Sequence, residues 1–316
     1  MRNIIRLFNQ NRKLIIIVVG VIAFIIIIIQ LLNSIVKENN KNKNTNQIAN
    51  IRENQEDLPS QSIITGEKVD TEVTKSNVSI IEEFVEKCNN NDIEGAYNML
   101  TDECKEALFP TQGDFESKYY NIIFTSKKVA DIDNFRNGIG LYTYRVKIYN
   151  NILSTGNASD TSSHQDYMTI DEKSENGKLN VYSFITSKQL GEEVEKDGVI
   201  VRVVRKEIYK DNEKYQVEVQ NTNKNPIVLD TKESNNRIYI IDSNGTKYYS
   251  NVYDMSKVSL EIPANFTKEY TFKFNKIYNT GLTTKSINFI DIVIDYEGYI
   301  NGTEDVSDRL VINVSL

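Results

Sequence analysis

In IGLYTYRVKIYN, residues 139–150, Tyr142, Tyr144, Val146 and Ile148 fall on one face, and Thr143, Arg145 and Lys147 fall on the other. A period of two is that of a half-buried strand. Upstream the period is helical. In SIIEEFVEKCNNN the apolar residues Ile80, Ile81, Phe84, Val85 and Cys88 form the stripe of an amphipathic helix, with Ser79 as its N-cap and Glu82 completing a capping box. DIEGAYNML and TDECKEAL read as two short helices, the second capped by Thr101 or Asp102 and stopped by Pro110. GDFESKYYNIIF continues as a helix or a helix-to-strand transition. Downstream, Asp166–Ile170 and Leu179–Thr186 read as further strands. Helices followed by antiparallel strands predict an α+β domain over residues 77–190.

After the charged break SKQLGEEVEKDG the pattern is strands and turns alone: Val199–Tyr209, Tyr215–Asn221, Arg237–Asp242, Lys247–Tyr249, Phe266–Phe274, Ile287–Tyr296 and Arg309–Leu316. Short alternating strands at this spacing predict an all-β, two-sheet sandwich over residues 191–316. No helix of useful length is expected there beyond a turn near Asp254–Val258. Asp242–Gly245 lacks the alternating oxygen ligands of a calcium loop and reads as a type I′ hairpin turn.

Residues 14–32, LIIIVVGVIAFIIIIIQLL, hold Gln30 as their sole polar side chain. Nineteen helical residues reach about 28 Å, close to the hydrocarbon core of a bilayer, so a transmembrane helix is expected. The run is too long for a cleaved signal and has no small-residue cleavage site after it. Arg2, Arg6, Arg12 and Lys13 place the tail, residues 1–13, in the cytoplasm and the remainder outside. Residues 33–76 are rich in Asn and Lys and poor in apolar side chains, the composition of a disordered stalk.

The net charge of −7 follows that division. Residues 1–33 carry +4 and the rest −11, a balance that excludes a chain built to hold nucleic acid. An acidic exterior is also repelled by an anionic membrane surface.

The chain offers one His and two Cys for chemistry. His164 lies in a polar run read as an exposed loop or strand start, and with Cys88 and Cys104 it forms no zinc-ligand spacing. No metal or cofactor is expected. Cys88 and Cys104 have two readings: a disulfide, which the outer compartment would permit, or ordinary buried thiols on the apolar stripe. Asp131, Asp133, Tyr119, Tyr120, Tyr142 and Tyr144 supply the residue types of a cavity acid–base site. Against that, Asp131-Ile-Asp133-Asn134 reads as turn chemistry, and tyrosines in a β-rich chain mostly pack on sheets. No catalytic residue is expected; Tyr119, Tyr142 and Tyr144 are the candidate cavity lining.

Two resemblances bear on function. IIEEFVEKCNNNDIEGAYNMLTDECKEALFP, residues 80–110, resembles the opening of NTF2-like domains of bacterial envelope proteins, which implies a cone-shaped cavity between sheet and helix, used for catalysis, for ligand binding or, when filled, for assembly. VEVQNTNKNPIVLDT, IYIIDSNGTKYYSN and LEIPANFTKEYTFKFN are similar to the DUF4352-type immunoglobulin-like sandwich, which implies an extracellular binding or spacer module. Together they imply a single-pass, non-catalytic envelope protein that binds other envelope proteins or cell-wall components. A VirB8-like subunit of a conjugation or type IV secretion channel shares the layout up to residue 190, and an NTF2-fold cavity enzyme or small-ligand binder is the third reading.

Overall fold

The amphipathic run read from Ser79 is the later part of a longer helix, α1 (Thr71–Asn89), whose N-cap is Asp70: its carboxylate accepts the backbone N–H groups of Glu72 and Val73. Ser79 is an exposed mid-helix residue. The first two turns escape sequence reading because they bury Thr74 and Asn77 where an apolar stripe would carry hydrocarbon. The structure is a computed structural model that describes residues 58–138, 140–151, 163–174, 178–233, 236–252 and 255–316. The expected tail, span and residues 33–57 of the expected stalk lie outside these. Among the described residues no helix is long and apolar enough to cross a membrane.

The last part of the expected stalk is folded. Gln61 and Lys68 form an antiparallel bridge, the Ser62 hydroxyl donates to the carbonyl of Phe135 at 2.7 Å, and the Ile63 N–H donates to that of Asn134 at 2.9 Å. These side-chain and backbone bonds offset an ordering entropy that apolar burial alone would not.

After α1, Asp92 caps α2 (Ile93–Asn98) and Thr101 caps α3 (Asp102–Leu108). α4 runs from Gln112–Phe115 through a π-helical turn, Glu116–Tyr120, to Asn121–Ile123. The four-stranded antiparallel sheet that follows has the order β1 (Lys128–Asn137), β2 (Leu141–Asn150), β3 (Ser163–Asp171) and β4 (Leu179–Asn180). β1 corrects the turn expected at Asp131–Asn134. Asp131 and Asp133 are outer positions of a strand whose Ile132 is buried, and Asp133 pairs with Arg145 across the register at 2.6 Å. Polar residues at alternate outer positions mimic the composition of a turn. The helices and the inner sheet face share one core, centred on Ile81, Phe84, Phe115, Tyr119, Tyr144 and Val146.

The second half is mostly antiparallel sheet. β5 (Phe184–Lys196), β6 (Val199–Tyr209), β7 (Glu213–Asn221) and β12 (Phe266–Phe274) form one four-stranded sheet. β9 (Ile238–Asp242), β10 (Lys247–Tyr249), β13 (Thr284–Ile292) and β14 (Leu310–Ser315) form the other, and β8 (Ile227–Val228) pairs with β11 (Glu261–Ile262). Val203, Val217 and Phe272 of the first meet Ile240, Phe289 and Ile312 of the second in a single core, each such side chain contributing roughly 1.5–3 kcal/mol. Among the described residues here, short α-helices form at α5 (Lys257–Leu260) and at α6 (Tyr296–Asn301), where the sequence reading extended the strand to Tyr296, and a 3-10 turn forms at Val306–Asp308. The expected type I′ turn is also corrected. Gly245 is left-handed at φ 83° but Asn244 is not, and the Asp242 carboxylate organises the turn by accepting from the N–H groups of Asn244 and Thr246.

The charged break expected near residue 190 is strand β5, an edge strand whose exposed side chains are polar. It joins the two cores: Phe184 at its start and Tyr209 at the end of its partner β6 pack in the first, while Val199 and Val201 pack in the second. Residues Pro59–Leu316 accordingly form one compact unit. Further ties cross the junction. Arg205 pairs with Glu106 of α3 at 2.8 Å, the Lys210 ammonium lies 4.5 Å from the centre of the Tyr167 ring, and the Lys210 N–H donates to the Ser183 carbonyl at 2.9 Å.

Candidate functional site

Tyr119 stands on the inner face of α4 and is fully buried. Its ring stacks on Phe115 at 5.6 Å and meets Phe84 and Phe109 edge-on or tilted at 6.1 Å. Its hydroxyl donates to Oδ2 of Asp166 at 2.8 Å. Asp166 is an inward position of β3, and it also accepts the N–H groups of Tyr182 at 2.9 Å, Ser183 at 3.0 Å and Tyr167 at 2.7 Å. Tyr182 and Ser183 are left-handed, at φ 60° and 62°, a costly conformation for residues with a Cβ. The buried carboxylate holds the turn that leads β4 into β5. Burial raises its pKa even against the bonds from Tyr182, Tyr119 and Tyr167, and burial with the Asp166 charge lifts Tyr119 far above the ordinary phenol range. A phenol so placed does not exchange protons near neutrality.

Tyr144, opposite Asn134 in the register of β1 and β2, is also buried, and its hydroxyl accepts from Asn77 Nδ2 at 3.2 Å. Burial pushes it up to about 12. Tyr142, two residues earlier, is half-buried at the open end of the sheet, where its hydroxyl donates to Glu172 at 2.9 Å. The three tyrosines expected to line one cavity therefore do different work. Tyr119 and Tyr144 fill the interior, and Tyr142 faces a groove.

That groove, about 580 Å³, is lined by Glu67, Asp70 and Val73 at the approach to α1, Asn137 and Tyr142 from the β1–β2 hairpin, and Thr280 and Gly281 from the second half. A second hollow of about 380 Å³ shares Val73 and continues past Asn77 and Ile80 to Asp171 and Glu172. The lining is partly unsatisfied. The Oδ1 of Asn137 is buried without a hydrogen-bond partner among the described residues, an arrangement that costs free energy unless something bonds to it. Sequence reading missed Asn77 and Asn137, because Asn in an Asn-rich chain carries no signal of its own.

The loop bearing Thr280 and Gly281 is placed from a distance. Glu213, at the start of β7, accepts from the Lys276 ammonium at 2.7 Å and from the Tyr215 and Thr284 hydroxyls, each at 2.7 Å, with Lys206 at 3.2 Å. Lys276 also donates to the Leu282 carbonyl at 3.0 Å, clamping both ends of the loop. Burial opposes the Glu213 charge, but Lys206 and Lys276 outweigh it and hold the carboxyl below its usual range.

The remaining sequence candidates lie apart. Tyr120 donates to Asn91, a left-handed residue at φ 57°, at 2.6 Å and so fixes the turn after α1. His164 is the second residue of β3, opposite Ile148, beside a hollow of about 220 Å³ that it shares with Ile122 and Lys128. Cys88 and Cys104 are buried free thiols, so of the two readings the bridge is the one not formed. Burial pushes Cys104 up to about 12, which leaves it unreactive. Among the described residues no group of three or more His, Cys, Asp or Glu is placed to hold a metal.

The chemistry available to the groove is hydrogen bonding by amides, a phenol and carboxylates around a small apolar strip at Val73 and Ile80. No protein-family model, curated protein or solved structure matches this chain.

Proposed function

We propose that this chain is a single-pass, membrane-anchored binding and assembly protein of the bacterial cell envelope, with an NTF2-like domain and a DUF4352-type immunoglobulin-like domain held outside the membrane and acting without catalysis. The observation that carries the reading is the filled interior of the first half. Phe84, Phe109, Phe115, Tyr119 and Tyr144 occupy the space that an enzyme or small-ligand carrier of that fold would keep open, and Asp166, the carboxylate at its centre, accepts four hydrogen bonds from the protein itself. What stays open is the surface groove, bounded by both halves, whose amides and carboxylates suit recognition of another macromolecule. The anchor rests on the apolar run Leu14–Leu32 and the four basic residues before it, and the outward orientation on the −11 carried beyond it.

Crosslinking of the full-length protein in intact cells, followed by its purification, tests this. Recovery of an envelope partner supports it, and substitution of Tyr142 or Asn137 should then reduce the yield. Recovery of no partner, with a small molecule retained by the purified protein, would overturn it in favour of a ligand carrier. Added protease that spares residues 59–316 in intact, wall-stripped cells but degrades them after lysis would overturn the orientation.

A further inference from the structure

A different pocket lies in the second half, away from the groove. It holds about 250 Å³ between α5 and α6, with Asp230 and Glu261 among its lining residues, Tyr296 and Tyr299 beside them, and Val258 and Ile300 at its mouth. Asp230 is 1% exposed. Its Oδ1 accepts the Lys232 N–H at 2.6 Å, and its Oδ2 has no hydrogen-bond partner among the described residues. A buried carboxylate oxygen is normally satisfied. Glu261 gives one oxygen to the Tyr296 hydroxyl at 2.8 Å. The rim shows the opposite anomaly: Val258 is 77% and Ile300 61% exposed, on two separate helices flanking the same opening.

These features select among guests. Two carboxylates against one lysine in the lining, Lys257, with one carboxylate oxygen of Asp230 uncommitted, favour a cation. Two carboxylates from separate elements are too few to hold a bare metal ion, in keeping with the lack of any three-residue ligand group among the described residues. The volume lies below the roughly 300–1,000 Å³ of sites that enclose a whole small molecule, so it suits one side chain. A guanidinium fork wants two oxygens of one carboxylate, whereas Asp230 has one uncommitted. An ammonium on an alkyl stem instead takes single acceptors from different groups. Apolar residues at the mouth then require apolar neighbours around that side chain, which a free amine does not bring.

We propose that this pocket is a docking site for a lysine side chain of a partner polypeptide, with the ammonium between Asp230 and Glu261 and the residues flanking the lysine lying against Val258 and Ile300. The proposal is independent of the membrane topology argued above. Burial, aided by Asp291, raises Asp230 to about 6, against the Lys232 N–H and the Arg237 and Lys232 charges. The other charged groups around it are Glu261 and Lys257 across the pocket and Arg309, which pairs with Asp291 at 2.7 Å. Docking therefore needs a proton to leave Asp230 and weakens as the pH falls through that value.

The test is fluorescence anisotropy of the full-length protein in detergent micelles with a labelled peptide, Gly-Leu-Lys-Leu-Gly, and its norleucine counterpart. The lysine peptide should bind at least about tenfold more tightly than the norleucine one. Asp230→Asn, which keeps the acceptor for Lys232, should cost about tenfold, and Val258→Ser, a surface change that leaves Tm in place, a few-fold. Binding should weaken between about pH 7.5 and 5.5 in the parent and not in Asp230→Asn. Equal affinity for the norleucine peptide, or unchanged affinity in Val258→Ser, would overturn the proposal even if Asp230→Asn failed to fold. Displacement of the peptide by an equal concentration of n-butylammonium would overturn it too, assigning the pocket to a small amine.

Discussion

Asp166 in the first half and Glu213 in the second are both carboxylates at 2% exposure, and they are satisfied in opposite ways. Asp166 is surrounded by neutral donors, three backbone N–H groups and a phenol, and its pKa is raised. Glu213 is held by two lysines as well as two hydroxyls, and its pKa is lowered. One fixes a left-handed turn beneath the helices, and the other clamps the loop that walls the groove. Burial alone therefore says little about what a carboxylate does. The charge of its partners sets the sign of its titration and the cost of losing it.

The comparison is broken most severely at Glu213. Glu213→Gln leaves Lys276 and Lys206 buried beside a neutral amide, and such an uncompensated charge costs about 3–5 kcal/mol, read by urea unfolding at neutral pH. Asp166→Asn keeps one acceptor but turns an N–H toward backbone donors, for about 2 kcal/mol by the same measurement. A larger loss at Asp166 than at Glu213 would reverse the ranking.

Acid sharpens the contrast. The Glu213 carboxyl is depressed below its ordinary 4.5, so its contribution is complete above that value and is lost as the pH falls through the folded pKa. The Asp166 carboxyl is raised above 3.8, so the folded state binds its proton first and its contribution declines as the pH rises from there to the folded value. The deficit of Glu213→Gln should shrink on acidification and that of Asp166→Asn should grow. Parallel trends in the two variants' urea midpoints would refute the assignment of partners.

Smaller effects probe the junction and the thiols. A Cβ at Gly138 would come within 2.9 Å of Thr280 Cγ2 and 3.1 Å of Tyr278 Oη, both side-chain ends of the clamped loop. Gly138→Ala should cost about 1 kcal/mol in the parent and less in Glu213→Gln, where the loop is released; strict additivity would show that Glu213 does not position it. Finally, denatured, unreduced protein should titrate two thiols, Cys88 and Cys104. Finding none would mean the bridge forms after all.

Legibility followed the solvent. Val199–Tyr209, Phe266–Phe274 and the strand around Tyr144 were readable because one face meets a core and the other meets water, which writes a period of two into the residues. The same logic misled at β1 and β5, edge strands with polar outer residues, and at the start of α1, where Thr74 and Asn77 are buried. The groove was legible only at Tyr142. Its other walls come from residues far apart in the chain, and its loop is set by Glu213 reaching Lys276 across 63 residues.

What the sequence determined by itself was the passage from helices to strands, the division into a helix-plus-sheet half and a mostly sheet half, and the segregation of charge along the chain, since each is a local pattern of polarity. Tertiary structure alone decided that β5 and β6 thread both cores, that the interior of the first half is closed, and which carboxylates meet lysines, backbone amides or, at Asp230, keep one oxygen unpartnered among the described residues. Those outcomes depend on which distant groups are forced together away from water, and a one-dimensional pattern of polarity does not carry that information.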